Sequence, residues 1–439
     1  MELLFTDALL LPMTADEPRT FTGNLGIAGN RIELVSDSPV EQAAFLSAHP
    51  EARIVDCRGK LVMPGLIDTH CHAGMTLQRS YADDLALMEW LNDYIWPFES
   101  HQTADDVVLG MTLGIVELLL GGVTSFVDMY FHEDRGVQVV RQLGIRALLG
   151  CSYFDCGVDE ALRSAERAMA QAAGCDRVSV AVAPHSGYTC SPENLVRGKE
   201  FCRQNGLLFM SHVAETMDES RMLAERYGKT PVRHFDALGL LDERTIAAHC
   251  VYVDDDDIAI LADRGVIVSH NPQSNMKLSS GVAPVWKMMR SGVRMTVGTD
   301  GTCSNNDLDL FEELRTAVFL QKSATGDPLA LPAYEALKLM TVNGARAMGC
   351  ADGELGVLRK GALADVIVID LQKPHLQPVH DVVSNLVYCG KSSDVEMVVV
   401  DGEPVVEDRR INKVDLPELY RKVAASVERI LTDCRREKS

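Results

Sequence analysis

Residues 61–72 read LVMPGLIDTHCH, an apolar run that ends in two imidazoles separated by one residue. Side chains of an extended strand alternate in direction, so His70 and His72 project to the same side. An almost wholly apolar run marks a strand covered on both faces, as in a parallel sheet. Seven further runs of this kind follow: VTSFVDM (123–129), IRALLGC (145–151), VSVAVAP (178–184), LLFMSH (207–212), TIAAHC (245–250), VIVSH (266–270) and RMTVGTD (294–300). Between them lie amphipathic helix patterns such as DDVVLGMTLGIVELLLGG (105–122) and ENLVRGKEFCRQNG (193–206), each closing on glycine. Eight buried strands alternating with helices predict an α/β fold of the TIM type, a (β/α)8 barrel over residues 61–354. A doubly wound sheet is the alternative, but no Gly-rich phosphate loop follows the first run.

The two ends of the chain have a different texture. Residues 1–60 and 355–410 alternate short strands with turns, as in NLGIAGNRIELVSD (24–37) and VEMVVVDGEPVVEDRR (395–410), the latter with an Asp401-Gly402 hairpin signal. These ends are expected to pair into one small β-sandwich (1–60 with 355–439), closed by a final helix, LPELYRKVAASVERILTDC (416–434). With 439 residues, 46% of them hydrophobic, the chain is long enough for such a barrel and its appendage.

Charge narrows the partners. The formal net charge is −21, with 63 acidic against 42 basic residues, which argues against nucleic acid and anionic membranes and for a small neutral or zwitterionic substrate. The opening MELLFTDALLLPMTADEP lacks a basic segment and carries Glu2 and Asp7, so it does not read as a signal peptide. No run approaches the ~18 apolar residues of a membrane span, and a cytoplasmic protein is expected. Twelve cysteines between Cys57 and Cys434 include no C-x-x-C pair, which fits reduced core thiols better than a cysteine-based zinc site.

Active sites on this barrel lie at the C-terminal ends of the strands. The first run ends in His70 and His72, the fourth in His185, the fifth in His212, the sixth in His249, the seventh in His270 and the eighth in Asp300. One such histidine alone is most often a satisfied, partly buried imidazole; their joint placement is not expected by chance. His70, His72, His212 and Asp300 would offer three nitrogen donors and one oxygen donor to one divalent ion, Zn²⁺ foremost, with Fe²⁺ or Mn²⁺ as alternatives, leaving a position open for water. A cation lowers the pKa of bound water towards ~7. Asp300 would then accept that water's proton, and Glu215, three residues past His212, would sit above the metal as a buried, protonated donor. The bland alternative for Glu215 is an exposed acid opening the next helix.

PGLIDTHCH (64–72), SHVAET (211–216), AAHCVY (247–252), SHNPQSNMKLSSG (269–281), VGTDGTCSNNDLDLFEE (297–313) and GVLRKGALADVIVID (356–370) resemble the amidohydrolase superfamily, in its branch of 5'-methylthioadenosine/S-adenosylhomocysteine deaminases and chlorohydrolase-like relatives. The resemblance implies one metal, because two-metal members use a carboxylated lysine at the end of the fourth strand and no lysine lies between Lys60 and Lys199. It implies that Glu99, in YADDLALMEWLNDYIWPFES (81–100), accepts hydrogen bonds from ribose hydroxyls, and that His185 contacts the substrate. Trp90, Leu91 and Trp96, otherwise one face of an amphipathic helix, would wall the pocket.

The implied reaction is attack by metal-bound hydroxide on C6 of adenine, with Glu215 protonating N1 and His249 and Asp300 orienting the water and moving its proton. His270 would either hydrogen-bond Asp300 or support its strand. Relatives that accept S-adenosylhomocysteine hold its carboxylate with arginines after the third strand. Here Arg146 lies within the strand and Arg163 well into the next helix, so 5'-methylthioadenosine, 5'-deoxyadenosine or adenosine is the expected substrate. The competing reading is another ring deaminase or hydrolase on the same scaffold, acting on guanine, 8-oxoguanine, a pterin or a triazine. A metal-free scaffold protein would have lost ligands, and the cytidine-deaminase and zinc-protease signatures are absent. A homo-oligomer is expected only by analogy with other large barrels.

Overall fold

The computed structural model describes residues 1–85 and 87–437, the side chains of Leu87 and Met88 excepted. The chain begins with β1 (Glu2–Leu10), β2 (Phe21–Ala28) and β3 (Arg31–Ser36), an antiparallel meander. Strands β4 (Arg53–Asp56) and β5 (Lys60–Pro64) add in parallel along the other side of β1. At Gly65 the chain changes sheets. The Gly65 N–H still donates to Asp365 O (3.0 Å), whereas Leu66 N–H donates to Gly122 O (3.0 Å). The apolar run 61–70 is therefore two strands rather than one. A Cβ on Gly65 would stand 2.2 Å from the Thr124 side chain, and glycine permits this close crossing.

Strands β6 (Leu66–Cys71), β7 (Val123–Tyr130), β8 (Arg146–Tyr153), β9 (Val178–Pro184), β10 (Leu208–Val213), β11 (Thr245–His249), β12 (Ile267–His270) and β13 (Arg294–Val297) pair in parallel in sequence order. Just beyond β13, Asp300 N–H donates to His70 O (2.8 Å), and inside the ring Thr69 Oγ1 meets Thr296 Oγ1 (2.7 Å), so the last strand returns to the first. Eight apolar runs thus become a nearly closed barrel, its lower interior filled by Ile67, Val127, Leu148, Met210, Ile246 and Ile267. The helices between strands start and stop where their local chemistry directs. Thr103 and Asp106 form a reciprocal capping box at the start of Ala104–Leu120, and Ser191 caps Pro192–Asn205, which ends at Gly206 with φ +66°.

After the barrel, β14 (Val366–Asp370), β15 (Val395–Val400) and β16 (Glu403–Val406) complete the first sheet in the order β16-β15-β14-β5-β1-β2-β3, so both chain ends build one mixed sheet. The β15–β16 turn uses Asp401 (φ +54°) and Gly402 (φ +79°), the hairpin geometry that its Asp-Gly pair favours. A buried ion network joins sheet to barrel: the Arg146 guanidinium donates to Asp365 (2.9 and 3.0 Å) and to Asp401 (3.2 Å). All twelve cysteines are free thiols. No helix among the described residues is long and apolar enough to cross a membrane.

Candidate active site

The strand ends converge. His70, His212 and Asp300 are buried and His72 nearly so, and one donor atom from each lies within 4.8 Å of all the others. The second ring nitrogen of two of these histidines is committed: His72 Nδ1–H donates to Met129 O (2.5 Å) and His212 Nδ1–H to His185 O (2.8 Å). Their Nε2 lone pairs therefore point at one another across 3.4 Å. Neither nitrogen of His70 has a hydrogen-bond partner, although the side chain is fully buried. Asp300 Oδ1 stands 3.0 Å from His72 Nε2 and 3.5 Å from His70 Nε2. Buried lone pairs converging with no donor among them are unfavourable unless a cation sits between them, so the set fits a divalent metal. Burial and the neighbouring imidazoles push His212 well below the usual histidine range, which keeps its lone pair free. Burial works against charge on Asp300, yet the facing imidazoles of His70, His72 and His249 hold it well below the usual carboxylate range.

Around this centre the backbone takes conformations that L-residues rarely adopt. Ala214 (φ +54°), His249 (φ +74°), Cys250 (φ +46°) and Asp300 (φ +62°) are all left-handed, a concentration of strain of the kind held at functional sites. Glu215 follows the first of these, with Oε2 4.0 Å from His249 Nε2, and burial raises its pKa. His249 Nδ1–H donates to Asn275 Oδ1 (2.9 Å), which turns Nε2 towards Glu215.

Three supporting residues were not anticipated from the sequence. Ser274 donates to Asp300 Oδ2 (2.5 Å), Asn275 orients His249, and Glu219 accepts the N–H groups of Ala214 (3.1 Å) and Glu215 (2.7 Å). Only Glu219 had a readable signal, the T-x-x-E pattern of a helix start at Thr216, whose Oγ1 accepts Glu219 N–H (3.1 Å).

The centre forms the floor of a cleft with an empty volume of about 660 Å³ including its open mouth. One wall is the helical segment from Leu87 to Ser100, wound as a π-turn over Leu91–Ile95, which directs Trp90, Leu91, Ile95, Trp96 and Glu99 into the cleft. Ala86 and the side chains of Leu87 and Met88, part of the 81–100 loop, lie outside the described residues. Glu99 Oε1 accepts the Tyr130 hydroxyl (2.7 Å), and burial pushes its pKa up to about 7. Trp90 is 5% exposed, and its Nε1–H has no hydrogen-bond partner among the described residues. His185 lines the opposite side, its ring 4.7 Å from that of Phe154, and burial lowers its pKa to about 3.

His270 does not reach the cleft; it is fully buried, and no hydrogen bond joins it to Asp300. Arg146 is held in the network with Asp365, and Arg163 pairs with Glu160 on the surface, so neither enters the cleft. Lys199 likewise pairs with Asp242 (2.6 Å), away from the floor.

Residues 61–405 match the model of the amidohydrolase family. The chain belongs to that family. This amidohydrolase is 42% identical over 404 residues to a 5'-deoxyadenosine deaminase of Methanosarcina mazei, covering 91% of this chain and 93% of the relative. It is 40% identical to a 5-methylthioadenosine/S-adenosylhomocysteine deaminase of Pelotomaculum thermopropionicum, over 94% and 95% of the two chains. A crystal structure of an adenosine deaminase from Xanthomonas campestris with bound zinc superposes with a TM-score of 0.92 at 34% identity, covering 98% of each chain. Donor set and family together identify the amidohydrolase centre as a divalent-metal site.

Proposed function

We propose that this amidohydrolase removes the amino group of the adenine ring from small adenosine derivatives by hydrolysis, releasing ammonia and the inosine derivative. The observation that carries the reading is the cleft itself. A convergent His/Asp floor with Glu215 and His249 above it lies opposite a wall bearing Glu99 and an unpartnered Trp90 N–H. His70, His72, His212 and Asp300 would hold one ion, with zinc favoured by the nitrogen-rich donor set. Such an ion, when bound, makes hydroxide available at neutral pH by acidifying coordinated water.

The protein's own groups then manage the protons. As the water oxygen bonds to C6, Asp300 takes one water proton, with His249 orienting the oxygen, and protonated Glu215 delivers its proton to N1. The proton on Asp300 passes to the amino nitrogen, the C6–N bond breaks, and ammonia leaves. Glu215 recovers a proton from the new hydroxyl as the C6 carbonyl forms, which restores both carboxyls. Ser274 and Asn275 support the exchange by fixing Asp300 and the Nε2 face of His249. At the other end, Glu99 would accept the ribose hydroxyls and the Trp90 N–H would donate to a ligand oxygen or nitrogen, while His185 packs against the substrate.

The cleft mouth favours an uncharged 5' substituent. Trp96, Phe131, Phe154 and Tyr188 are half-buried lining residues of the cleft, and no lysine or arginine occurs among the described lining residues. A tail carboxylate or phosphate would lose water there without gaining a cation. The test is ammonia release by the zinc-loaded enzyme from 5'-deoxyadenosine, 5'-methylthioadenosine, adenosine, S-adenosylhomocysteine, guanine, 8-oxoguanine and a pterin. Turnover of the first three ahead of S-adenosylhomocysteine is expected. Activity confined to guanine, 8-oxoguanine or the pterin would overturn the nucleoside assignment.

A further inference from the structure

The C-terminal helix Leu416–Glu437 places no side chain in the cleft, yet it carries the back of the segment that forms one wall. Phe98 and Ile430 are both fully buried and belong to one apolar cluster with Leu77 and Cys434. Phe98 immediately precedes Glu99, so adjacent residues face opposite ways, one into the C-terminal helix and the other into the cleft. Polar contacts run along the same junction. The Cys434 thiol donates to Pro97 O (3.6 Å), Arg429 donates to His101 O (3.3 Å), and His101 pairs with Glu437 (2.9 Å). Ser426 and Arg429 also bind Asp106, whose carboxylate accepts Thr103 N–H (2.7 Å) at the start of the next helix.

The wall segment has little stability of its own. The helical stretch Leu87–Ser100 is broken by a π-turn over Leu91–Ile95, and at that length an isolated helix is only marginal in water. Its position is therefore set by what it packs against, and on the side away from substrate Phe98 enters the cluster with Leu77, Ile430 and Cys434, where the Tyr81 ring also lies 5.2 Å from its own. We propose that Ile430 is a positioning residue for the nucleoside site: by seating Phe98, the C-terminal helix sets how far Glu99 reaches into the cleft. The inference rests on the reading of Glu99 as the ribose acceptor.

The test compares full-length, zinc-loaded Ile430→Ala, Ile430→Leu and Glu99→Ala with the parent enzyme, by KM and kcat for 5'-deoxyadenosine and by zinc content. Ile430→Ala is expected to raise KM about tenfold, with kcat within about twofold. Its zinc content should not change, and Ile430→Leu should return KM to near the parent value. A purely structural role would remove folded enzyme, which lowers apparent kcat and leaves KM alone. That pattern, with KM raised in Glu99→Ala, overturns the inference and leaves the ribose reading standing. Unchanged KM in Glu99→Ala overturns both. Should Ile430→Ala yield no soluble protein, Cys434→Ala makes a smaller deletion in the same cluster. A KM rise of about two- to threefold would then support the inference, and an unchanged KM would overturn it.

Discussion

Glu215 and Glu99 are both acids whose pKa is raised by burial, and the proposed reaction uses them in opposite protonation states. Glu215 must carry a proton to give one to N1. Glu215→Gln keeps shape and hydrogen-bonding atoms but cannot transfer a proton, so turnover should fall by ~10²–10⁴ while zinc content and substrate affinity persist. A variant of normal kcat would remove Glu215 from the chemistry. Glu99 must accept two hydroxyls, which its ionised form does better. Its pKa is raised to about 7, so the charged form appears as pH rises through that value. KM for 5'-deoxyadenosine should therefore fall between about pH 6 and pH 8, and Glu99→Gln should flatten that profile. A parent KM independent of pH over that range would contradict the assignment. The four convergent donors were readable in sequence because their residue types stand out against the apolar runs that they terminate. Ser274, Asn275 and Tyr130 were not, because a hydroxyl or amide declares no role until folding places an Asp300, a His249 or a Glu99 beside it.

Buried parallel strands announce themselves as uninterrupted β-branched runs, and for this reason the barrel could be read as a series of elements. The same property concealed the division at Gly65. Residues 61–64 (LVMP) run on into Leu66 and Ile67 as one apolar stretch, yet the first part pairs with β14 and the second with β7. The glycine is the local signal, and its meaning depends on Thr124, far along the chain. Gly65→Ala should therefore destabilise the fold by ~1–3 kcal/mol through overpacking, measured as a shift in denaturation midpoint at constant m-value. A neutral effect would mean that Thr124 rotates away at no cost. The left-handed residues flanking the site were equally invisible beforehand: Ala214 does not favour positive φ, and the tolerance of His and Asp for it singles out no one of the many such residues in the chain.

Barrel and sheet are tied together by Arg146, which is 4% exposed and bonded to Asp365 and Asp401. Asp365→Asn removes the bidentate partner and leaves Asp401 as the remaining counter-charge of Arg146, so it should cost ~1–3 kcal/mol in chemical denaturation while the isolated folded enzyme keeps its zinc. A loss below ~1 kcal/mol would place the pair among weak surface interactions. The composite sheet was foreseeable in outline from the alternating, turn-rich texture of both ends. Its strand order was not, because nothing local to β5 says that its neighbour will be β14. That neighbour relation also bears on how the molecule is made. While the ribosome extends the chain, the flank of β5 offers bare N–H and C=O groups from Pro64 onwards and meets its partner only once Val366 has emerged. Every barrel strand is translated within that interval, so the nascent protein carries an unprotected edge through about two thirds of its synthesis. An unguarded edge of this kind attracts strands of other chains, which makes truncated translation products of this enzyme a hazard to their own kind.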